Sequence, residues 1–583
     1  MKRIYIILIA ILTQLAINSC DYLEKPASDD ITVDMAFENV ITAKRVLNNL
    51  YWEVRQAAYN IHTRRVLYAT GCDDAIAGYS VWGNKFHEGS WTPDDNRGAG
   101  DGSENDPPTV NFWNNTYKRI RKANLFMENL YRASGDEYEK ALYMEEARFL
   151  RAFFYAELIR RFGGVILITS SVDPGDYSAL TNQSRNTYAE CVQWVCDELD
   201  EAALMLPDTR NSADIGRVTR AACYAVKARL LLTAASPLFN TDNPVLPDYN
   251  EIHYYGNYDR ERWKAAADAC RVIMDMTQYY GLNLEVYDVA NPTSFTNYFR
   301  RFSNIFFTVS RESVWICHPE YEWDGRMVPY YNRSAQGWNW INPTFELADE
   351  YEMTNGKLPS DEDSGYDFNR PGENRDPRFK ATISYPGAQY TAYNFYPWVG
   401  GSASHLESQK TGMCIQKFVD EEFNAATPGL VVRRNVTHMF RYSEILLDFA
   451  EAMNEYNGGP TAEVYDAINA IRDRVGMPPL PSGLSYEAMQ ARIRHERRVE
   501  LAFEDQRFFD VRRWRIAEET QNGYLHGYDA TRGENTGFYT RVSVGNPTRF
   551  EKRHYLYPLS TQEILLNPSL QQNPGWPRLA AVE

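Results

Sequence analysis

Cysteine is scarce in this chain, and its few cysteines form no disulfide pattern. The 583 residues include 8 Cys. One of them, Cys20, is assigned below to a lipid anchor. The other seven are an odd number, so at least one thiol cannot pair within the chain. Cys191 and Cys196 lie five residues apart in a helical pattern, which separates their Cα atoms by about 8 Å and excludes a bridge. We therefore expect stability to come from the core, with Cys223 and Cys270 buried as small apolar side chains.

Positive charge and catalytic motifs are also lacking. The formal net charge is −17, and no run of Lys and Arg overcomes it locally, which argues against nucleic acid as a partner. The chain has no H-E-x-x-H, P-loop or G-x-S-x-G motif, and its 9 His are scattered without ligand spacing. Acidic loops at 94–106 and 361–367 do not follow the EF-hand pattern, and we interpret them as solvated. We expect no catalytic residues, no metal and no cofactor.

No apolar run is long enough to span a membrane, but the N-terminus has the pattern of an export signal. Two basic residues precede an apolar run from Ile4 to Leu12, well short of the roughly 20 residues of a transmembrane helix. INSC then places a small residue directly before Cys20, as in a bacterial lipobox. We predict that residues 1–19 are a signal peptide, that Cys20 is acylated, and that 20–35 form a tether. The alternative is a signal peptidase I substrate with a chance cysteine.

Helical periodicity dominates much of the chain. In residues 145–164 apolar side chains recur every three or four positions, and Gly163 supplies the stop. Residues 218–237 repeat the pattern, with Thr219 as N-cap and alanines that permit close packing. Tyr442 to Val475 reads as two helices and a turn, with the length of about 34 residues of one tetratricopeptide unit. We predict a mainly α fold with a degenerate helix-pair scaffold.

Between roughly Gly281 and Leu430 the sequence changes to Asn, Pro, Gly, Tyr and Trp with only short apolar runs. This composition predicts a loop-rich, irregular lobe packed on the helices. Within it, YEWDGRMVPYYNRSAQGWNW from Tyr321 to Trp340 carries six aromatic rings without helical or strand periodicity. Trp91 to Pro108 is a second loop of this kind. Loops held by a rigid scaffold are where binding groups usually lie.

Large rings are the chemistry that this chain has in excess, with 40 Tyr and 13 Trp. Flat rings cover the C–H face of a sugar, while planar polar side chains reach the hydroxyls at its edge. Each ring contact contributes about 0.5 to 1.5 kcal/mol beyond burial, so two or three rings with hydrogen bonds give a dissociation constant on the order of millimolar to tens of micromolar. The excess of rings is thus a functional hint that fits weak binding of a sugar and does not by itself identify the ligand.

Eight blocks, in one order behind the lipobox, resemble the RagB/SusD family of outer-membrane lipoproteins. They include EARFLRAFFYAELIRRFGGVILIT (146–169), GRVTRAACYAVKARLLLTAASPLFN (216–240), FRYSEILLDFAEA (440–452) and RHERRVELAFEDQRFFDVRRW (494–514). The similarity covers nearly the whole chain. It departs from the family pattern at Asp505, where Gly is expected; Asp tolerates a left-handed backbone better than most residues.

The resemblance implies a scaffold of about four tetratricopeptide-like helix pairs, with an N-terminal region at 36–280 and a C-terminal region at 281–583 that includes the loop-rich lobe. It also implies a non-catalytic protein outside the cell. Such a protein captures an oligosaccharide and delivers it to a SusC-like TonB-dependent transporter in the outer membrane, to which its lipid anchor attaches it.

The predicted glycan-binding residues come from two loops: Trp82, Trp91, Trp323, Arg326, Tyr330 and Tyr331. Their preferred arrangement is an arc of rings. Trp338 and Trp340 abut a family block, so we interpret them as core residues. Two alternatives stay open. A glycoside hydrolase would need two carboxylates roughly 5 to 9 Å apart, a distance that sequence does not reveal, and peptides or other nutrients are alternative cargo.

Residues 494–514 are dense in charges of both signs. Arg497 lies three positions before Glu500, and Arg507 lies three before Asp510, which predicts ion pairs along one helix face. We expect this lattice to be structural and not catalytic.

Overall fold

The computed structural model describes residues 32–58, 68–78, 83–94, 110–173, 175–176, 181–317, 339–390, 393–404, 408–419 and 436–577. Helices dominate these residues. They are α1 Val33–Ala36, α2 Val40–Ala58, α3 Gly83–His87, α4 Val110–Asn129, α5 Glu137–Phe162, α6 Tyr188–Met205, α7 Arg220–Ala235, α8 Glu261–Met274, α9 Phe295–Ser303, α10 Phe345–Ala348, α11 Pro377–Thr382, α12 Tyr442–Asn457, α13 Ala462–Arg474, α14 Tyr486–Glu500, α15 Arg507–Arg513, α16 Ala517–Thr520 and α17 Thr561–Leu566. No helix among the described residues is both long enough and apolar enough to cross a membrane.

The strands of the described residues are short and pair two by two in antiparallel ladders. The pairs are β1 Ala75–Ala77 with β3 Ile341–Pro343, β2 Ser313–Cys317 with β8 Thr437–Arg441, β4 Ile383–Ser384 with β7 Cys414–Ile415, β5 Gln389–Tyr390 with β6 Tyr393–Asn394, and β9 Gly523–Tyr528 with β10 Arg541–Thr548. Because each ladder has two strands, the sheets pin loops to the scaffold and do not form a layer of their own.

The central helix is α5, and its ends follow from its sequence. At the start, the Asp136 carboxylate accepts a hydrogen bond from the Glu139 N–H at 2.9 Å, which satisfies one of the free donors of the first turn. At the other end Gly163 has φ = 82°, a conformation that favours glycine, as the Gly-Gly stop predicts. From Glu146 to Phe162 nearly every side chain is buried, so α5 is covered by neighbours on all sides.

Successive helices pack side by side in one continuous array. Helices α2 and α4 pack on α5, which is followed in contact order by α6, α7, α8, α12 and then by α13 and α14. The predicted pair between Tyr442 and Val475 is α12 and α13, joined at Gly458, whose φ is 67°. Thr461 is the N-cap residue of α13, although its side chain makes no capping hydrogen bond. The mainly α, tetratricopeptide-like prediction is confirmed.

Apolar side chains gather in two main clusters. The first contains the faces of the helical array and runs from Phe37 to Trp576. The second lies in the lobe and includes Phe299, Phe379 and Phe538. The first cluster contains residues from both predicted regions, 36–280 and 281–583, so the two regions share one helical core. The division into two regions there stays a prediction.

The ion pairs in the charged segment 494–514 differ from the predicted ones. Arg497 does not pair with Glu500: it binds Asp448 at 2.5 Å and Asp510 at 2.8 Å. Arg507 reaches Asp73 at 2.7 Å, far away in sequence. The predicted i,i+3 pairs are therefore wrong, because these side chains are buried against other elements, where a tertiary partner is closer than the one along the helix.

Two smaller predictions are confirmed. Asp505, where the family pattern has Gly, has φ = 67°, so the left-handed turn is kept with Asp in it. The described cysteines are all buried free thiols, including Cys191, Cys196, Cys223 and Cys270 on their helices.

Candidate functional site

A pocket of about 320 Å³ lies where α2 meets the end of β2. It is lined by Lys44, Asn48, Tyr51, Trp52, Val54, Ala213, Asp214, Ile215, Gly216, Arg217, Trp315, Ile316 and Cys317. Lys44, Asn48 and Tyr51 share one face of α2 because residues three and four apart are neighbours on a helix. The 213–217 turn before α7 supplies the second wall, and β2 supplies the third.

A buried carboxylate organises the polar wall of this pocket. Glu146, on α5, accepts hydrogen bonds from the Tyr51 hydroxyl at 2.6 Å, from Arg217 Nη1 at 2.6 Å and from Arg210 Nη2 at 3.0 Å. Arg217 also donates to Asn48 Oδ1. Burial and the neighbouring Glu146 raise the pKa of Tyr51 well above its ordinary value, so this phenol stays protonated and acts as a donor.

The Arg217 guanidinium keeps its charge in this setting. Burial alone would lower the pKa of Arg217, but the charge of the Glu146 carboxylate outweighs burial and raises this pKa. Asp214 adds a second acidic partner, with Oδ1 at 3.2 Å from Arg217 Nε and at 3.5 Å from Lys44 Nζ. The pocket wall is thus a preformed set of charged and amide groups at fixed positions.

The two pocket tryptophans differ in exposure. Trp315 is 3% exposed: its ring lies edge-on to Phe149 and Phe153 at 5.0 and 5.1 Å, and its Nε1 donates to the Gly216 carbonyl at 3.2 Å. Trp52, in contrast, is 40% exposed. Trp315 therefore builds the wall, whereas Trp52 offers aromatic surface to a ligand.

One flat exposed ring beside fixed guanidinium, ammonium, amide and carboxylate groups suits a ligand with both apolar faces and hydroxyl edges. The titratable groups of this wall are held in ion pairs and hydrogen bonds with one another. In the part of the chain that the structure describes, the pocket has no cysteine or serine beside a histidine base, which acyl transfer would require. The fixed donors and acceptors of the pocket suit the binding of a polar ligand.

Trp91, one of the predicted glycan-binding residues, is a core residue, and that prediction is corrected here. Its side chain is 2% exposed. The indole stacks on Phe86 at 4.5 Å and on His554 at 5.3 Å, and it meets Trp576 edge-on at 4.6 Å. Both ring faces are therefore covered by the protein itself, so neither can stack on a sugar.

The other predicted site residues lie outside the described residues: Cys20, Trp82, Trp323, Arg326, Tyr330 and Tyr331. Trp338, predicted to be core, lies outside them too, whereas Trp340 is partly buried against the lobe cluster as predicted.

The described residues that flank these segments make specific contacts. Gly78 follows β1, and its N–H donates to the Trp340 carbonyl at 3.0 Å. A Cβ on Gly78 would lie 2.0 Å from the Asn339 carbonyl oxygen, so only glycine permits this approach. Cys317, which directly precedes residues 318–338, lines the pocket.

In the acidic loop at 361–367, two carboxylates form ion pairs at the protein surface. Asp363 pairs with Lys357, and Asp367 pairs with Arg370 at 2.9 Å. The described residues hold one group with metal-ligand proximity, Cys72, Asp73 and Asp74. Its two carboxylates are already bound by Arg498, with Oδ atoms at 2.9 and 3.0 Å. This group is a buried ion-pair cluster and does not fit a cation.

The sequence reasoning missed the pocket residues Tyr51, Trp52 and Arg217. A signal for Trp52 was present, since it is a large ring next to the polar face of an amphipathic helix. No local signal identified Arg217, because its partners Asn48 and Glu146 lie far away in sequence.

The fold belongs to the class of tetratricopeptide-like helical-repeat proteins that carry an irregular lobe. Two family models match this chain over separate segments. Residues 311–576 match the SusD family, and residues 21–232 match a SusD-like family described as starch-binding and associating with the outer membrane. Together the two segments span most of the sequence, and the chain belongs to the SusD/RagB family.

Individual relatives agree with this assignment. A SusD-like protein P2 of Formosa agariphila is 24% identical over 485 residues, which are 80% of this chain and 80% of that protein. The crystal structure of a SusD-like protein from Bacteroides fragilis has a TM-score of 0.74 at 26% identity, covering 95% of this chain and 100% of the other. A laminarin-binding SusD-like protein has a TM-score of 0.60 at 20% identity, covering 93% and 100%, and shows likeness of fold alone.

Proposed function

We propose that this protein is a surface lipoprotein that binds an oligosaccharide and delivers it, unmodified, to a SusC-like TonB-dependent transporter. Acylated Cys20 anchors the mature chain to the outer membrane on its outer face, and residues 20–35 serve as the tether. Membership of the SusD/RagB family supports this proposal, as does the starch-binding, outer-membrane description of the model that matches 21–232. We keep 36–280 and 281–583 as the two regions of the mature chain.

The observation that carries the proposal is where the ring-rich segments attach. Residues 318–338 connect Cys317, which lies in the wall of the pocket, to Asn339, which lies beside Gly78. Trp82 lies four residues beyond Gly78, within about 14 Å of extended chain. One end of each segment is therefore attached at the same place, where Gly78 contacts Asn339 and Trp340.

The proposed glycan site combines these segments with the pocket. Trp82, Trp323 and Tyr330 form its arc of rings, with Arg326 and Tyr331 beside them, and Trp52 extends the arc into the pocket. Arg217, Asn48 and Lys44 then supply donors for sugar hydroxyls. Trp91 has no part in it, because its ring is enclosed.

The test is alanine substitution of one ring in each part, Trp323→Ala and Trp52→Ala. Affinity electrophoresis in gels that contain laminarin or amylopectin identifies a ligand, and titration calorimetry with an oligosaccharide of the same linkage measures affinity. We expect each variant to bind about 3- to 10-fold more weakly, since each removes one stacking contact. Tyr258→Ala is the matched control, because Tyr258 is 49% exposed and does not line the pocket.

Unchanged affinity in both Trp variants would show that the site is misplaced. New reducing ends after incubation with the polysaccharides would show a glycoside hydrolase instead. Retardation by none of the polysaccharides, together with binding of a peptide mixture, would favour peptide cargo.

A further inference from the structure

A second group of rings lies at the surface of the lobe, away from the pocket walls. It consists of Tyr396, Trp398 and Tyr539, all half-buried, and is called the aromatic platform here. The Trp398 ring centroid is 4.9 Å from that of Tyr396, with the planes 38° apart, and 6.2 Å from that of Tyr539, with the planes 51° apart. Three neighbouring rings thus keep part of their surface in water, where a ligand can reach it.

The backbone explains why these rings point outward. Phe395 and Pro397 are buried, whereas Tyr396 and Trp398 between and after them are not, which is the alternation of an extended segment. Phe538 is fully buried, and its ring supports that of Trp398 from below at 5.5 Å. Phe395 and Pro397 thus anchor the segment in the core, and the platform rings stay at the surface.

Hydrogen bonds within the protein hold the platform in place. The Asn394 side-chain amide donates to the Tyr396 hydroxyl at 3.1 Å, and the Asn394 carbonyl accepts from Ser402 Oγ at 2.7 Å. The Val399 N–H donates to the Arg532 carbonyl at 2.9 Å, which ties the segment carrying Trp398 to the loop carrying Tyr539. Preorganised rings lose little conformational entropy when a ligand binds.

The rim of the platform is polar. Asn394 is exposed, and the Arg532 side chain is 62% exposed beside Asp529. Two of the three rings also carry a hydroxyl. A partner that matches this surface has flat C–H faces and hydroxyl edges, as a pyranose does. A purely apolar partner would remove water from the amide and the guanidinium without offering either group a hydrogen bond.

We propose that the aromatic platform is a second carbohydrate-binding surface, which contacts a distant part of the same polymer that occupies the principal site. This inference rests on the proposed function. The two surfaces are built by different elements, since the pocket is formed by α2, the 213–217 turn and β2. A long chain that touches both gains from a high effective concentration at the second contact, whereas a short oligosaccharide occupies only one.

The test compares a polymer with its own trisaccharide, using whichever of laminarin and amylopectin retards the parent protein. Trp398→Ala should weaken binding of the polymer by about 3- to 10-fold and leave affinity for the trisaccharide within about twofold. Tyr539→Ala should act in the same direction, and Trp398→Phe should restore part of the loss. Trp323→Ala should weaken both ligands, and Tyr258→Ala neither. Circular dichroism checks that each variant is folded. If Trp398→Ala is not folded, Tyr539→Ala replaces it as the test of the platform.

The outcomes separate the two proposals. If the folded platform variants bind the polymer as tightly as the parent does while Trp323→Ala weakens it, the second surface is wrong and the proposed function stands. If platform variants weaken trisaccharide and polymer equally, the platform is the principal site and not a second one. No retardation of the parent protein by either polysaccharide would overturn the proposed function and this inference with it.

Discussion

Three tryptophans show how one residue type takes different roles according to its neighbours. Trp91 is enclosed by Phe86, His554 and Trp576. Trp315 is equally buried but uses its N–H to hold the pocket turn. Trp52 keeps two-fifths of its surface in water. The role of an indole is therefore set by which of its faces the rest of the chain covers.

At the residue scale, Trp91→Ala should lower the free energy of unfolding by about 3 to 5 kcal/mol, because it removes a fully buried ring and leaves a cavity between three others. The midpoint of urea unfolding measures this loss. Trp52→Ala is the matched control and should cost less than about 1 kcal/mol, since two-fifths of this residue is already in contact with water. A Trp91→Ala protein of unchanged stability but reduced glycan affinity would restore Trp91 to the binding site.

Helix α14 is the element through which the lobe and the helical array are joined. Its last residue, Glu500, accepts from Arg474 of α13 at 2.7 Å, from Arg441 of β8 at 2.5 Å and from Arg378 of α11 at 3.0 Å. All of these groups are buried. Because these arginines come from both the lobe and the helical array, the ion pairs form only when the lobe is packed correctly on the array. A charge in such a setting fixes one arrangement, since any other leaves it unpaired.

At the element scale, Glu500→Gln should destabilise the protein by about 3 to 5 kcal/mol, because three buried guanidinium groups lose their shared counter-charge. Urea unfolding monitored by tryptophan fluorescence is the measurement. Glu487→Gln, in the exposed first turn of the same helix, is the control and should change stability by less than about 0.5 kcal/mol. Equal effects of the two substitutions would contradict a central role for the network.

The charge network gives the whole molecule a defined response to acid. Burial alone would raise the pKa of Glu504, but Arg441 and Lys417, each with a nitrogen at 2.6 Å, outweigh it and lower this pKa to about 2. Burial is likewise outweighed at Glu496 by Arg378 at 2.6 Å and Arg472 at 2.9 Å, and that pKa also falls to about 2. An unfolded Glu titrates near 4.3. The stabilisation is therefore present above about pH 4.3 and lost as the pH falls towards 2.

At the scale of the whole molecule, we expect the urea midpoint to fall steeply between about pH 4.5 and 2.5. Each of the two carboxylates contributes on the order of 2 kcal/mol over that interval. The Glu504→Gln variant should be less stable at pH 7 and show a shallower fall, because it has lost one of the titrating groups. A loss centred near pH 6 to 7 in the parent protein would assign the acid response to other groups.

Much of the fold could be predicted from local patterns. The stop of α5 at Gly163 and the left-handed turn at Asp505 follow from backbone sterics, which a single residue determines. Thr219 caps α7 through its own side chain, which accepts from the Ala222 N–H at 3.3 Å. These features depend on neighbours within a few positions, so they can be found in the order of residues.

The candidate site could be predicted only in part. The ring-rich loop was identified from composition, but Trp91 was misassigned, because composition counts rings and does not say which are enclosed. The partners of Arg497 and Arg217 lie tens to hundreds of positions away. The pocket wall therefore could not be found by spacing along one helix.

By itself, the sequence determined that the chain is mainly helical, rich in aromatic residues and acidic overall, because those properties depend on composition and short-range periodicity. Its family followed from the eight blocks of similar sequence. Only the tertiary structure decided that Trp91 is core, that Trp52 is open and that Glu146 and Glu500 are the centres of buried networks. The physical reason is that burial and ion pairing depend on distances between elements, and those distances exist only once the helices and the lobe are packed together.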